Sequence, residues 1–266
     1  MLISIIVPCF NQGEFLDEAL ASVYEQKHQD WECIIVNDGS IDKTEDVGLS
    51  WCRKDARFNY TAQNNLGLSA ARNTGIRLAK GQYILPLDAD DRINDSYVLE
   101  ALNIFERQKG VTLVYCNAYR FGFESGPWDL QLYNYESLLI ENMIFCSAIF
   151  KRADALKLGG YDENLKIGLE DWDFWIRLLT PVSIVIKLDI VGFYYRIKPE
   201  SMATAMNVSI EKKNNLKENI LLKNLNIYKN HFGSPFQLLE KHKQLKDFER
   251  KLKSTIIYKI FNYLRN

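Results

Sequence analysis

Apolar and polar positions along the first half of the chain follow two rhythms. Short apolar runs at residues 3–7, 33–37, 58–61 and 83–87 are rich in β-branched or aromatic side chains and read as strands. Helical patterns lie between them. The segment GEFLDEALASVYEQ, residues 13–26, places Phe15, Ala19, Leu20 and Val23 on one stripe, with acidic residues early, where the helix dipole favours them. The segment LGLSAARNTGIRLAKG, residues 66–81, is small and apolar on one side, and Gly81 suits a helix stop. This β-α-β-α alternation predicts an α/β fold with a mostly parallel sheet flanked by helices.

The second half is less regular. Residues 112–116 and 147–151 read as strands, and 122–128, rich in glycine and aromatics, as a loop. EDWDFWIRLL, residues 170–179, has helical spacing, and 183–187 and 191–196 read as late strands. From about residue 208 the chain turns rich in Asn and Lys. The expected organisation is one domain over 1–207. A helical extension follows over 208–266. In its last part Leu245, Phe248, Leu252, Ile256, Ile260 and Leu264 form a one-sided apolar stripe among lysines. That stripe suits a helix packed on the domain or on a partner. The sharper reading is peripheral contact of 240–266 with an anionic membrane face.

Composition narrows the classes. The chain has 266 residues, 47% hydrophobic and 25% charged, as expected of a globular protein of one large domain with an appendage. A net charge of −1 argues against nucleic acid as partner. No apolar run is long enough to span a bilayer, and the apolar N-terminus reads as a first strand, not a leader. The five cysteines, Cys9, Cys33, Cys52, Cys116 and Cys146, are scattered without CxxC spacing, which points to free thiols in a cytoplasmic setting. Only three histidines are present, so a Ser-His-Asp mechanism or a histidine-rich metal site is hard to build.

The candidate chemistry sits at strand ends. In GQYILPLDADDRI, residues 81–93, Asp88, Asp90 and Asp91 follow directly on an apolar run. Carboxylates this close repel and raise one another's pKa unless a cation offsets them. Hard oxygen ligands beside substrate phosphates suit Mg²⁺ or Mn²⁺. The competing reading is a helix cap, and both hold if Asn94 or Asp95 caps while Asp88 and Asp90 serve the ligand. The polar segments VPCFNQGE (7–14) and NDGSIDKT (37–44) end two other strands, and parallel sheets bind ligands at that edge. A separate acidic pair, Glu170-Asp171, begins the 170–179 helix. It reads either as an acidic first turn or as a general base partly desolvated by Trp172 and Trp175. The aromatics by themselves suit a core, with Trp172 the candidate platform for a sugar face.

Four segments together carry a resemblance: ISIIVPCFNQGEFLDEALASVYEQ, WECIIVNDGSIDKT, NNLGLSAARNTGIRLAKGQYILPLDADD and GGYDENLKIGLEDWDFWIRL. In this order, over roughly residues 1–200, the chain resembles the family 2 inverting glycosyltransferases of GT-A fold, which implies a nucleotide-binding part over about 1–116 and an acceptor part over about 117–207. The resemblance implies a metal-dependent, hexosyltransferase-like enzyme that moves a sugar from a nucleotide-diphosphate sugar, UDP-sugar favoured, to a hydroxyl. The acceptor would be a glycan or lipid-linked acceptor, in cell-surface polysaccharide or glycan synthesis. It implies nucleotide contacts by Pro8, Phe10, Asn11, Asp38, Arg72 and Asp88, a metal ligand in Asp90, and a catalytic base in Asp171 with Glu170 beside it. Trp172, from its indole, is the candidate acceptor contact. Residues 192–202 match a late segment that closes over the diphosphate. There, many relatives carry a histidine after Tyr-Arg, whereas here Arg196 is followed by Ile197, Lys198 and Pro199. Arg196 and Lys198 are the candidate diphosphate contacts. The alternative is a sugar-nucleotide-binding protein of the same fold with weak turnover. A phosphatase would want its Asp-x-Asp after the first strand, and a nucleotidyltransferase would want a basic loop there.

Overall fold

In a computed structural model, which describes residues 1–166, 168–199 and 210–254, the four early strands are present and parallel. They are β1 (Ile3–Cys9), β2 (Trp31–Asn37), β3 (Phe58–Ala62) and β4 (Tyr83–Pro86), joined through α1 (Gly13–Tyr24), α2 (Thr44–Lys54) and α3 (Leu68–Leu78). Their order is β3-β2-β1-β4, so β1 lies between β2 and β4, pairing Ile5 with Cys33 and with Leu85. Every residue of β1 and β2 is buried, because helices cover the sheet. That explains their continuous apolar runs, since strands buried on both faces have no reason to alternate.

Close approach shapes α3. A Cβ on Gly75 would lie 2.2 Å from Ile6 Cγ2, so the glycine lets the helix settle directly on β1. Gly81 does not end the helix as expected. α3 stops at Leu78, and Gly81 instead runs against β1, where a Cβ would meet Ser4 N at 2.6 Å.

Beyond β4 the sheet continues through β8 (Ile149–Lys151), β6 (Val111–Gly122), β9 (Ile184–Ile197) and β5 (Arg92–Ile93). The β4–β8, β8–β6 and β9–β5 pairings are antiparallel, and β6 runs parallel to β9. The two late strands expected at 183–187 and 191–196 are one strand, β9, whose pairing with β6 shifts register near Cys116 and Asn117. The expected loop at 122–128 is a correction too. Gly126–Trp128 forms β7, antiparallel to β6, with Trp128 opposite Ala118. The helices α4 (Tyr97–Arg107), α5 (Tyr135–Leu138), α6 (Arg152–Lys157) and α7 (Glu170–Leu178) complete this part.

The chain divides into two units, Met1–Leu216 and Lys217–Asn266. The described helices of the extension are α8 (Ile210–Lys223), which crosses that boundary, α9 (Leu225–Phe232) and α10 (Pro235–Ser254). On α10, Leu245, Phe248 and Leu252 of the predicted stripe are exposed. Ile256, Ile260 and Leu264, and positions 200–202 of the late segment, lie outside the described residues. Among the described residues, no helix is long and apolar enough to cross a membrane.

Candidate active site

The parallel strands bring three polar ends to one edge. Cys9 and Asn37 are paired at the ends of β1 and β2, and Asp38 N donates to Cys9 O at 2.8 Å. The buried Asp38 carboxylate accepts from Gln63 Nε2 (2.7 Å), Leu66 N (3.0 Å) and Gly67 N (2.8 Å). It therefore fixes the turn ahead of α3, where Gly67 takes the left-handed region at φ +99°. Asn11 is also left-handed, at φ +52°, held by Ser40 Oγ on its N–H and by Ile41 N on its side-chain oxygen. Asp42 accepts from Gly13 N and Thr44 N, tying the starts of α1 and α2 together.

A cavity of about 400 Å³ opens on this edge. Pro8, Phe10, Asp38, Asp88, Asp90, Arg196 and Lys198 all line it; Asn11 and Arg72 do not. Phe10 is 45% exposed, an apolar ring displayed at the mouth. Lys166, which carried no signal in the sequence, adds a third cation to Arg196 and Lys198.

The acidic cluster is held by three different partners. Asp88 binds Arg72 Nη2 at 2.7 Å, and the Cys146 thiol donates to its other oxygen at 3.5 Å. Asp90 faces Lys198 Nζ at 2.5 Å, and the same ammonium donates to Gln12 Oε1 at 3.0 Å. Asp91 is buried. One oxygen accepts from Arg196 N at 2.8 Å, and the other has no partner among the described residues. Burial, then the charges of Asp90 and Asp88, push the Asp91 carboxyl well above its ordinary range. Arg196 is spent on the framework: its Nε donates to Asp90 O, its Nη2 pairs with Glu18, and its guanidinium lies over Phe15 and Phe121. Lys198 has fewer such ties, to Asp90, Gln12 and the Phe15 ring.

A second cavity of about 480 Å³ adjoins the first and shares Leu68, Asp88 and Tyr195 with it. Its wall includes Glu170 and Asp171 at the start of α7, Asn142, and Trp128 at the end of β7. The residue before α7, Leu169, has φ +62°, an unfavourable conformation for a branched side chain, held at the turn that aims the two acids. Glu170 is paired with Arg72 Nη1 at 2.7 Å. One buried guanidinium thus joins Asp88 to Glu170, residues 82 positions apart in the sequence. Burial opposes the charge on Arg72, but the two carboxylates outweigh it and raise its pKa further.

Asp171 accepts from Asn142 Nδ2 at 3.0 Å and from Trp172 N at 2.7 Å. Burial first, and Glu170 second, raise its carboxyl from 3.8 to about 7, against a lowering pull from Arg72. A carboxylate poised near neutrality is suited to take a proton. Trp172 requires a correction. Its indole is only 2% exposed and its Nε1 donates to Leu138 O at 2.6 Å, so it offers no face to a sugar. The available indole is Trp128, half-buried, 5.1 Å from the Tyr195 ring and 6.3 Å from that of Phe145.

A divalent ion suits this chemistry. Asp88 and Asp90 both line the first cavity and offer it hard carboxylate oxygens. Among the described residues no group of three or more His, Cys, Asp or Glu side chains could hold a metal alone, so substrate oxygens would have to complete the shell.

Solved structures share this architecture, which is the GT-A fold. TarS of S. aureus, crystallised with UDP-GlcNAc, superposes with a TM-score of 0.65 at 20% identity, covering 87% of this chain and 73% of that one. The mannosyltransferase PcManGT from Pyrobaculum calidifontis, in complex with GDP-Man and Mn²⁺, gives 0.59 at 17% identity, covering 97% and 82%. The family described as Glycosyl transferase family 2 matches residues 4–159, and the chain belongs to that family. The uncharacterized glycosyltransferase EpsJ of Bacillus subtilis is 30% identical over 76% of this chain. The minor teichoic acid biosynthesis protein GgaB of the same organism is 29% identical over 86% of it. The chain spans 62% of the length of EpsJ and 27% of that of GgaB.

Proposed function

We propose that this chain is an inverting glycosyltransferase that moves a sugar from a nucleoside-diphosphate donor to an acceptor hydroxyl in cell-surface polysaccharide synthesis. The observation that supports this most is the meeting of two cavities at Asp88. One holds the acidic strand end with Lys166 and Lys198; the other holds Asp171, poised near neutrality. The teichoic acid relative supports the polysaccharide setting, and the UDP-GlcNAc bound by TarS favours a UDP-sugar.

The donor's nucleoside would lie against Pro8 and Phe10, near Asp38, with its diphosphate toward Asp90 and Lys198. Asp90, with Asp88 behind it, would hold Mn²⁺ or Mg²⁺, which would supply positive charge to the departing diphosphate. Lys198 and Lys166 add charge on the same side. The acceptor hydroxyl, in the second cavity, gives its proton to the Asp171 carboxylate as its oxygen bonds to the anomeric carbon. The bond from that carbon to the phosphate oxygen breaks, and its electron pair leaves with the nucleoside diphosphate. One displacement from the opposite face inverts the centre. Arg72 positions Asp88 and Glu170 on either side of the reacting space rather than touching the nucleotide.

A screen of nucleotide-sugars for nucleoside diphosphate release, with Mn²⁺ and with a chelator, tests this reading. One donor should be turned over only with metal. Absence of turnover and of nucleotide binding across the panel contradicts it.

A further inference from the structure

Charge is distributed unequally between the two cavities. Lys166, Arg196 and Lys198 all line the first. The second has Asp129 and Glu141 exposed at its rim and Asp88, Glu170 and Asp171 within. Arg72 is the only basic side chain among its described lining residues, and it is already engaged by Asp88 and Glu170. The nearby Lys187 donates to Leu130 O at 3.1 Å and is not part of the lining. Among the described residues neither Asp129 nor Glu141 forms an ion pair. The rest of the wall is largely apolar and includes Trp128, Phe145 and Tyr195.

We propose that the second cavity takes an uncharged sugar, with its apolar ring face on Trp128, and rejects acceptors that bear a phosphate within the cavity. The proposal rests on the reading of this cavity as the acceptor half. A phosphate entering here loses its water without meeting an available cation, and it faces several carboxylates. A neutral sugar meets no such penalty. Its hydroxyls can donate to the carboxylates, and its C–H face packs on an aromatic wall.

Saturation-transfer NMR on the full chain with UDP and Mg²⁺ provides the test. The probes are the methyl glycosides of glucose, galactose and N-acetylglucosamine, compared with the 6-phosphates of the same sugars. At least one methyl glycoside should bind about ten-fold more tightly than its 6-phosphate, a difference of about 1.4 kcal/mol. The double variant Asp129→Asn, Glu141→Gln, altered only at exposed positions, should lower that discrimination measurably, with Asp88, Glu170 and Asp171 still within the cavity. Trp128→Leu should weaken the glycoside without changing UDP binding. A 6-phosphate that binds as well as its glycoside overturns the proposal. So does discrimination unchanged in the double variant, or no binding by any probe. UDP binding, followed in the same samples, separates the two levels. If UDP binds and the probes behave wrongly, only this inference fails; if UDP does not bind, the reading of the first cavity as a uridine-diphosphate site fails.

Discussion

Replacing Asp171 by Asn should make the protein more stable above neutral pH while removing its activity. The Asp171 carboxyl is raised from 3.8 to about 7 by burial and by Glu170. Between those two values the unfolded chain has released this proton and the folded chain still holds it. Stability therefore falls as pH rises through that window, and the loss is complete above about pH 7. At about 1.4 kcal/mol per pKa unit, the whole shift corresponds to roughly 4 kcal/mol. Partial solvent access and the sharing of charge with Glu170 reduce this to about 1–2 kcal/mol. Asn at this position keeps an oxygen for the Trp172 N–H and carries no charge. Its stabilising effect should be near zero at pH 4 and grow to a melting-point rise of roughly 2–8 °C at pH 8. Thermal melts of both proteins at the two pH values read this directly. Activity should fall by about 10²–10⁴-fold, as for loss of a general base. In the unaltered protein kcat/KM should rise with pH through about 7 as Asp171 ionises. Equal melting shifts at pH 4 and pH 8, or a lower melting point at pH 8, would refute the desolvated base.

Other perturbations probe the framework. Arg72→Met strands Asp88 and Glu170 without their shared partner and should cost about 3–5 kcal/mol in urea unfolding; a loss below about 1 kcal/mol would mean the bridge does not form. Lys198→Met removes the ammonium from Asp90, so Mn²⁺ binding followed by electron paramagnetic resonance should tighten about three- to ten-fold while UDP affinity falls. Unchanged Mn²⁺ affinity would remove Asp90 from the metal's surroundings. Gly75→Ala drives a methyl against Ile6 and should destabilise by about 1–3 kcal/mol, again read by urea unfolding.

The parallel strands were legible because burial on both faces makes each a continuous apolar run ending in polar residues, as at Val36-Asn37-Asp38. The acidic strand end and the Glu170-Asp171 pair were legible for a related reason: charges crowded at the ends of apolar segments need a local cause. Other features depend on distant partners. β5 has two residues and exists by pairing with β9 at Tyr194 and Phe193. β7 contains Gly126 and Pro127, a loop-like composition overridden by pairing with β6. That concealed Trp128. The choice of Trp172 misjudged a helix pattern, since Trp172, Trp175 and Ile176 lie on its buried stripe. The Arg72 bridge to Asp88 and Glu170 and the contribution of Lys166 have no short-range signature.

The most direct measurement is a crystal structure with UDP and Mn²⁺ bound. The uracil and ribose should lie against Pro8 and Phe10, the diphosphate and ion at Asp90 and Lys198, and one sugar-sized space should separate the terminal phosphate from Asp171. A nucleotide seated elsewhere, or a terminal phosphate pointing away from Asp171, would contradict it.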